Sequence, residues 1–265
     1  MTDLYFIHGM WGTPAVWSGL RARFEAVGYT THAPALPFHD RRREEPPPPE
    51  IAALGLKDYI DYLVEDVSRL AAPPIIIGHS MGGFLAQAVA ARVQPAGLIL
   101  LSPAASASTP AIAADPVRTV WKIISHWGWW KRPTMMEPDA ARWGLFNEVP
   151  ADIASAEIAA LVWDSGRVLA DLSFPWLTRN GAATVDYARL SMPALVVVGT
   201  EDRVTPVATA KATARRLTGP VDYHEIPDTG HWLFHPAAVG RVGDLIAEWL
   251  APIDLQRAQP ASTLG

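Results

Sequence analysis

No cysteine occurs in the 265-residue sequence, which excludes disulfide bonds, thiolate metal sites and a cysteine nucleophile. No stretch approaches the ~18 to 20 consecutive apolar residues that a membrane-spanning helix needs. The formal net charge is −5 and the longest basic run is Arg41-Arg42-Arg43, so the sequence offers no electrostatic surface for nucleic acid. The H-E-x-x-H zinc motif is also absent, and we predict neither a metal ion nor an organic cofactor.

The N-terminus lacks the features of a secretory signal. Asp3 stands where such a signal would be basic, and the apolar run after it is too short. Apolar residues make up 49% of the chain, enough to bury the core of one large α/β domain or of a core with an insertion. These features predict a soluble, cytoplasmic protein, and they leave its oligomeric state open.

Apolar runs typical of strands alternate with helical segments, which favours a mostly parallel sheet of about six strands with helices on both faces. The predicted strands are residues 4–7, 29–33, 75–77, 98–101, 195–198 and 222–226. The predicted helices are residues 14–26, 57–70, 84–93, 207–217 and 239–250. Residues 37–54, with charged side chains and four consecutive prolines, are predicted to form a solvated loop, and the tail from residue 251 is predicted to be frayed.

Residues 105–186 interrupt this alternation, because they contain no clear strand and seven of the eleven tryptophans. We interpret them as an inserted helical cap on a core formed by residues 1–104 and 187–265. Most of the aromatic side chains should pack the cap, and together they should line an apolar acyl or alkyl pocket and exclude water. The cap tryptophans are Trp121, Trp127, Trp129, Trp130, Trp143, Trp163 and Trp176.

A Gly-x-Ser-x-Gly sequence, Gly78-His79-Ser80-Met81-Gly82, directly follows the apolar run 74–77. Such short sequences also occur by chance in loops, so the neighbouring residues must show whether this one is a catalytic motif. Here a strand precedes the serine and apolar residues at helical spacing follow it, as a nucleophile elbow requires. Ser80 is therefore the candidate nucleophile.

A serine nucleophile needs a base, and the base needs a carboxylate that orients it. The loop after the predicted strand 195–198 contains Glu201 and Asp202, and we choose Asp202 because it lies at the tip of the loop. His231 follows the last predicted strand in a turn and completes the order Ser, Asp, His, with His235 as its rival. His79 must point away from the nucleophile and is interpreted as a supporting residue.

Two N–H groups should face the oxygen of the tetrahedral intermediate. Met81 supplies one at the start of the helix after Ser80. The loop after the first strand should supply the other from Met10 or, failing that, from Trp11. Trp11 and Trp232 are also the best candidates for the substrate pocket, since they adjoin the oxyanion loop and the base.

Four motifs occur in the order typical of the α/β-hydrolase superfamily, and the resemblance spans almost the whole chain. They are His8-Gly9, residues 78–83, residues 199–206 and Gly230-His231. The resemblance implies an α/β-hydrolase fold with an eight-stranded core, a triad here at Ser80, Asp202 and His231, and a cap after the sixth strand. This chain begins at what would be the third strand, so the usual first hairpin is missing and about six strands remain.

The resemblance favours an ester hydrolase that forms an acyl-enzyme on Ser80 and takes a small to medium apolar ester as its small-molecule partner. A serine nucleophile argues against the dehalogenases and epoxide hydrolases of the superfamily that use aspartate. C–C bond hydrolysis, perhydrolysis and lyase chemistry use the same triad and stay open, because the pocket sets the reaction. A binding protein without turnover is a further alternative.

Overall fold

The computed structural model describes residues 2–109, 113–175, 178 and 181–258. Its strands are β1 (Leu4–Ile7), β2 (Thr31–His32), β3 (Ile75–His79), β4 (Gly97–Leu101), β5 (Pro133–Thr134), β6 (Asp164–Ser165), β7 (Ala194–Gly199) and β8 (Val221–Ile226). Its α-helices are α1 (Ser18–Glu25), α2 (Leu56–Val67), α3 (Met81–Val93), α4 (Ala114–Ile124), α5 (Pro138–Gly144), α6 (Ala151–Ala160), α7 (Gly166–Ser173), α8 (Val207–Arg216) and α9 (Pro236–Ala258). Short 3₁₀ helices span Pro14–Trp17, Pro49–Ala53, Trp129–Lys131 and Tyr187–Arg189.

Six strands form one sheet in the order β2-β1-β3-β4-β7-β8, and all five neighbouring pairs are parallel. The predicted mostly parallel sheet of about six strands is therefore confirmed. The second strand is shorter than predicted. The N–H of Tyr29 donates to Phe24 O in the turn after α1, and Pro34 has no N–H for a sheet ladder.

Both faces of the four central strands β1, β3, β4 and β7 are buried, as expected for a parallel sheet covered by helices. Successive side chains along each strand point to opposite faces of the sheet, and they enter two separate apolar clusters. One cluster includes Tyr5, Ile76 and Val196 and packs against α2 and α3. The other includes Phe6, Ile77 and Val197 and packs against α1 and α9. This double burial explains why the strands are continuous apolar runs in the sequence.

The segment 105–186, the cap segment, contains four helices within its described residues, α4 to α7. The expectation that it has no strand is wrong, because β5 and β6 pair as a short antiparallel ribbon, Pro133 with Ser165 and Thr134 with Asp164. The cap segment packs onto the rest of the chain, the sheet domain of residues 1–104 and 187–265 as predicted above, through a third apolar cluster that also contains Trp11 and Trp232. Trp176 lies outside the described residues.

Two further predictions need correction. Residues 37–54 are not simply a solvated loop, because His39 and Ile51 are buried and the Arg43 guanidinium donates to the carbonyls of Met136 and Ile158 in the cap segment. The predicted tail also does not begin at residue 251, because helix α9 continues through Pro252 to Ala258, and residues of α9 before Pro252 pack on the sheet. Residues 259–265 of the predicted tail lie outside the described residues.

No helix among residues 2–109, 113–175 and 181–258 combines the length and the apolar character that crossing a membrane requires.

Candidate active site

Ser80 occupies the sharp turn between β3 and α3, with φ +56° and ψ −123°. A residue other than glycine adopts this backbone conformation only when its surroundings enforce it. The crossing of strand and helix is tight: a Cβ on Gly78 would lie 2.1 Å from Gly82 O, and one on Gly82 would lie 2.1 Å from Ile7 O. The two glycines thus allow the turn that places Ser80 at the carboxyl edge of the sheet.

Gly78→Ala should therefore lower the free energy of unfolding by more than about 4 kcal/mol, because the new methyl group meets backbone atoms that cannot move aside. Denaturant unfolding measures the change. Gly19→Ala is the matched control, since Gly19 lies in α1 and a Cβ there would meet nothing within 4 Å. That variant should gain up to about 1 kcal/mol from helix propensity. Equal stabilities of the two variants would contradict this account of the turn.

The structure brings Asp202 and His231 together at the ends of β7 and β8. Nδ1 of His231 lies 2.9 Å from Oδ2 and 3.0 Å from Oδ1 of Asp202, and both side chains are buried. The N–H groups of Val204 and Thr205 each donate to Oδ1 at 2.8 Å. Burial alone would raise the pKa of Asp202, but the neighbouring His231 and these hydrogen bonds outweigh it and hold the pKa below its ordinary value.

The rival residues do not join this pair. Glu201 is exposed, and its carboxylate accepts a hydrogen bond from Thr200 Oγ1 at 3.4 Å. His235 is buried, but neither ring nitrogen has a hydrogen-bond partner among the described residues. The expectation that the sequence has no H-x-x-x-H metal spacing is wrong, because His231 and His235 have this spacing. No group of three metal-binding side chains occurs in the part of the chain that the structure describes.

Ser80 and His231 lie at the same edge of the sheet without a hydrogen bond between them. Nε2 of His231 is buried and has no partner among the described residues, so it is free to accept a proton. Hydrogen bonds between a nucleophile and its base are often long in ligand-free sites and shorten when substrate binds. The arrangement leaves this nitrogen available as a base.

His79 has the supporting position expected of it. Its Nε2–H donates to the backbone carbonyl of His231 at 3.0 Å, and the two rings lie 4.8 Å apart. Burial, followed by the nearby His231, lowers the pKa of His79 to about 3. His79 is therefore neutral and steadies the loop that carries the candidate base.

The candidate oxyanion loop, residues 8–12 after β1, approaches the serine closely: a Cβ on Gly9 would lie 3.1 Å from the Ser80 Cβ. The N–H of Trp11 donates to Asp164 Oδ2 at 3.1 Å, so it is not free to bind an oxyanion. The N–H groups of Met10 and Met81 donate to no acceptor in residues 2–109, 113–175 or 181–258. Of the two donors that the sequence left open in this loop, Met10 is the available one.

Trp11 and Trp232 are both buried where the cap segment meets the sheet domain. The indole N–H of Trp11 donates to Thr134 Oγ1 at 3.3 Å, and the Trp232 ring packs edge-on against Phe146. Two cavities of about 300 and 370 Å³ open on the surface, and neither is lined by Ser80, His231 or these tryptophans. The predicted pocket role of Trp11 and Trp232 stays a prediction.

The structure contains a second buried His–Asp pair, which was not predicted from the sequence. Nε2 of His39 lies 3.0 Å from Asp164 Oδ2, and both side chains are fully buried. The hydroxyl of Tyr59 donates to the other oxygen of Asp164 at 2.8 Å, and the His8 ring lies 5.1 Å from that of His39. No local pattern indicates this pair, because its two members are 125 positions apart.

Two neutral histidines predict how stability depends on pH. Burial lowers the pKa of His8 and of His79 from 6.5 to about 3. Below pH 6.5 these two histidines therefore bind protons in the unfolded chain but stay unprotonated in the native protein. Each histidine should remove about 1.4 kcal/mol of stability per pH unit between pH 6.5 and 3.

Denaturant unfolding at pH 6.5, 5.5 and 4.5 measures this slope. His79→Gln should reduce it by about 1.4 kcal/mol per pH unit, since one of the two histidines is removed. An unchanged slope in that variant would show that His79 is not held neutral in the native protein.

The parallel sheet, the strained serine turn and the Asp–His pair at the carboxyl edge together define the α/β-hydrolase class. The sequence model of the alpha/beta hydrolase family matches residues 4–243. The chain belongs to this family, and the resemblance stated from the motifs is confirmed.

Several proteins are similar to this chain. A pyrethroid hydrolase of Sphingobium wenxiniae (strain DSM 21828 / CGMCC 1.7748 / JZ-1) is 23% identical over 236 residues, which cover 86% of this chain and 80% of that protein. The crystal structure of a pyrethroid hydrolase from Sphingobium faniae JZ-2 superposes with a TM-score of 0.67 at 20% identity, covering 94% of this chain and 96% of that one. A monoacylglycerol lipase from Paleococcus ferrophilus superposes with a TM-score of 0.68 at 18% identity, covering 94% of each chain. At these identities the superpositions show the shared fold.

Proposed function

We propose that this protein is a serine hydrolase that cleaves carboxylic esters of small to medium apolar substrates through an acyl-enzyme on Ser80. The observation that supports this most strongly is the buried Asp202–His231 pair, joined at 2.9 Å, at the same sheet edge as the strained Ser80 turn. Asp202 holds Nδ1 of His231 and leaves Nε2 to act on the serine hydroxyl.

The proposed reaction has two halves. Nε2 of His231 takes the proton of Ser80 as Oγ bonds to the ester carbonyl carbon, and the carbonyl electrons move onto the oxygen. The N–H groups of Met10 and Met81 stabilise this oxyanion, and Asp202 stabilises the imidazolium. His231 then gives the proton to the alkoxy oxygen, the C–O bond breaks, and the alcohol leaves.

Water then repeats these steps on the acyl-enzyme. His231 takes a proton from water, the hydroxide oxygen bonds to the acyl carbon, and the bond to Ser80 Oγ breaks as Oγ regains a proton. The carboxylic acid leaves and the free enzyme is restored. Every proton transfer in this scheme uses one nitrogen, Nε2 of His231.

An apolar substrate is proposed because the side chains around the candidate site are apolar. Met10 and Trp11 of the oxyanion loop and Trp232 beside the base belong to the same cluster as the cap residues Trp129 and Phe146. A substrate group that displaces part of this packing must itself be apolar, since it enters a water-poor space. We propose that the cap segment closes over the substrate and excludes water.

The names of the similar proteins support ester cleavage. They include pyrethroid hydrolases, a monoacylglycerol lipase and a methylesterase from Arabidopsis. No specific observation favours C–C bond hydrolysis, perhydrolysis or lyase chemistry over this reaction.

The test is kcat/KM on chromogenic esters of increasing acyl length, with Ser80→Ala measured in parallel. Turnover that disappears in the variant supports the proposal, and the preferred acyl length measures the space under the cap segment. Absence of turnover on every ester, with the fold intact, would overturn it and direct attention to the other reactions of this triad.

A further inference from the structure

Asp164 is a buried carboxylate that the proposed ester chemistry does not use. It lies in β6 of the cap segment and is fully buried. Its Oδ1 accepts hydrogen bonds from the Tyr59 hydroxyl at 2.8 Å and from the Ser165 N–H at 2.6 Å. Its Oδ2 accepts the Trp11 N–H at 3.1 Å and lies 3.0 Å from Nε2 of His39. A buried carboxylate with this many polar partners is held in one fixed orientation.

Trp11 is held by the cap segment at each of its polar groups. Its N–H donates to Asp164, its carbonyl accepts the Val162 N–H at 2.8 Å, and its indole N–H donates to Thr134. Its φ is +57°, a conformation that a bulky side chain rarely adopts. The strained backbone next to Met10 is thus maintained by bonds from residues more than 120 positions away.

These three hydrogen bonds from the cap segment to Trp11, the Trp11 clamp, determine which of the two candidate N–H groups has an acceptor. Asp164 binds the Trp11 N–H, whereas the Met10 N–H has no acceptor in the part of the chain that the structure describes. The loop is also close enough to Ser80 that a Cβ on Gly9 would be 3.1 Å from the serine Cβ. Release of the Trp11 N–H from Asp164 would let the backbone dihedrals at Met10 change, and with them the orientation of the Gly9–Met10 peptide that carries the Met10 N–H.

His39 lies beside Asp164 as its counter-ion: its Nδ1 lies 3.0 Å from Pro37 O and its Nε2 lies 3.0 Å from Asp164 Oδ2. Burial alone would lower the pKa of His39, but the neighbouring Asp164 carboxylate outweighs it and raises the pKa above its ordinary value. His8, on the other side of His39, donates Nδ1–H to Gly9 O and accepts the Leu36 N–H at Nε2, so it is neutral. A buried ion pair therefore anchors the oxyanion loop.

We infer that Asp164, with His39 as its counter-ion, is a positioning residue that orients the Met10 N–H toward the oxyanion formed at Ser80. The inference rests on the proposed function, since it assigns a task within the same site. It also gives the cap segment a role in catalysis besides covering the substrate, because the clamp joins cap and oxyanion loop.

The test compares two inhibitors of the full-length protein. An apolar trifluoromethyl ketone adds to Ser80 Oγ: the oxygen bonds to the carbonyl carbon, His231 receives the proton, and the carbonyl oxygen becomes an oxyanion. The corresponding apolar alcohol binds without forming one. Asp164→Asn should weaken the ketone on the order of 10- to 100-fold, since outright loss of an oxyanion donor costs about 10²–10³ in rate. The affinity for the alcohol should be unchanged.

Asp171→Asn is the matched control. Asp171 is also a cap carboxylate that accepts a backbone N–H, that of Leu56 at 3.2 Å, but it contacts α2 and not the oxyanion loop. It should bind both inhibitors as the wild-type protein does. Equal weakening of ketone and alcohol in Asp164→Asn, or no weakening of either, would overturn the inference.

Tyr59→Phe decides the matter if Asp164→Asn does not fold. It removes one donor to Asp164 and keeps the ring, so a smaller but selective loss of ketone affinity is expected. Absence of a selective loss in this variant would overturn the inference. A wild-type protein that binds no ketone and cleaves no ester would instead contradict the proposed function, so the two failures are distinguishable.

Discussion

Ser80→Ala is expected to lower kcat/KM for the best ester substrate by about 10⁴- to 10⁶-fold, the range seen when a triad serine is removed. Without Oγ no acyl-enzyme can form, and only the oxyanion donors and substrate binding still help water to attack. The fold should survive, because the side chain of Ser80 makes no hydrogen bond to any described residue. Steady-state kinetics and thermal unfolding of the same preparation measure both effects.

Ser102→Ala provides a matched control. Ser102 also follows a parallel strand, β4, with a positive φ of +44°, and its buried hydroxyl has no partner among the described residues. Its loss should leave kcat/KM within about threefold of wild type, since changes that remove no interaction usually cost less than ~0.5 kcal/mol. If activity persisted in Ser80→Ala and were lost in Ser102→Ala, the assignment of Ser80 as the nucleophile would be wrong.

Asp202→Asn should lower kcat by about 10⁴-fold, the effect known for a triad aspartate in a serine protease. The amide cannot stabilise the imidazolium, and its NH₂ group favours the tautomer of His231 that carries its proton on Nε2. KM should change little, because Asp202 is buried behind His231 and does not reach substrate. Steady-state kinetics of Asp202→Asn should thus show a large fall in kcat at nearly constant KM.

Glu201→Gln distinguishes the two carboxylates of the β7 loop. Glu201 is exposed and its backbone carbonyl, not its side chain, binds Asn147 Nδ2 at 2.7 Å. The variant should keep wild-type kcat. If Glu201→Gln lost activity and Asp202→Asn kept it, the acid of the triad would have to be reassigned.

Most of the sheet could be predicted because its signals are local. The apolar runs at β3, β4 and β7 are buried on both faces, and a doubly buried strand has no polar face to break the run. β2 shows where this reasoning fails, since it has two residues at the sheet edge and depends on pairing with β1. β5 and β6 could not be predicted for the same reason, because two-residue strands carry no periodicity.

The Ser80 turn was predictable for a related reason: its glycines, strand and helix are consecutive in the sequence. The choice of Asp202 over Glu201 was weaker, because adjacent residues differ only in the direction of their side chains. The loop geometry after β7 decides that direction, and it presents Asp202 to His231 while Glu201 faces solvent.

The sequence by itself determined the class of fold, the serine turn and the order of the candidate triad, because each depends on spacing between near neighbours along the chain. Only the tertiary structure decided that, among the described residues, the Trp11 N–H has an acceptor and the Met10 N–H has none, and that His39 forms a buried pair with Asp164 of the cap segment. These features join residues more than 100 positions apart. Burial and charge pairing across such distances depend on the packed fold, and no local pattern encodes them.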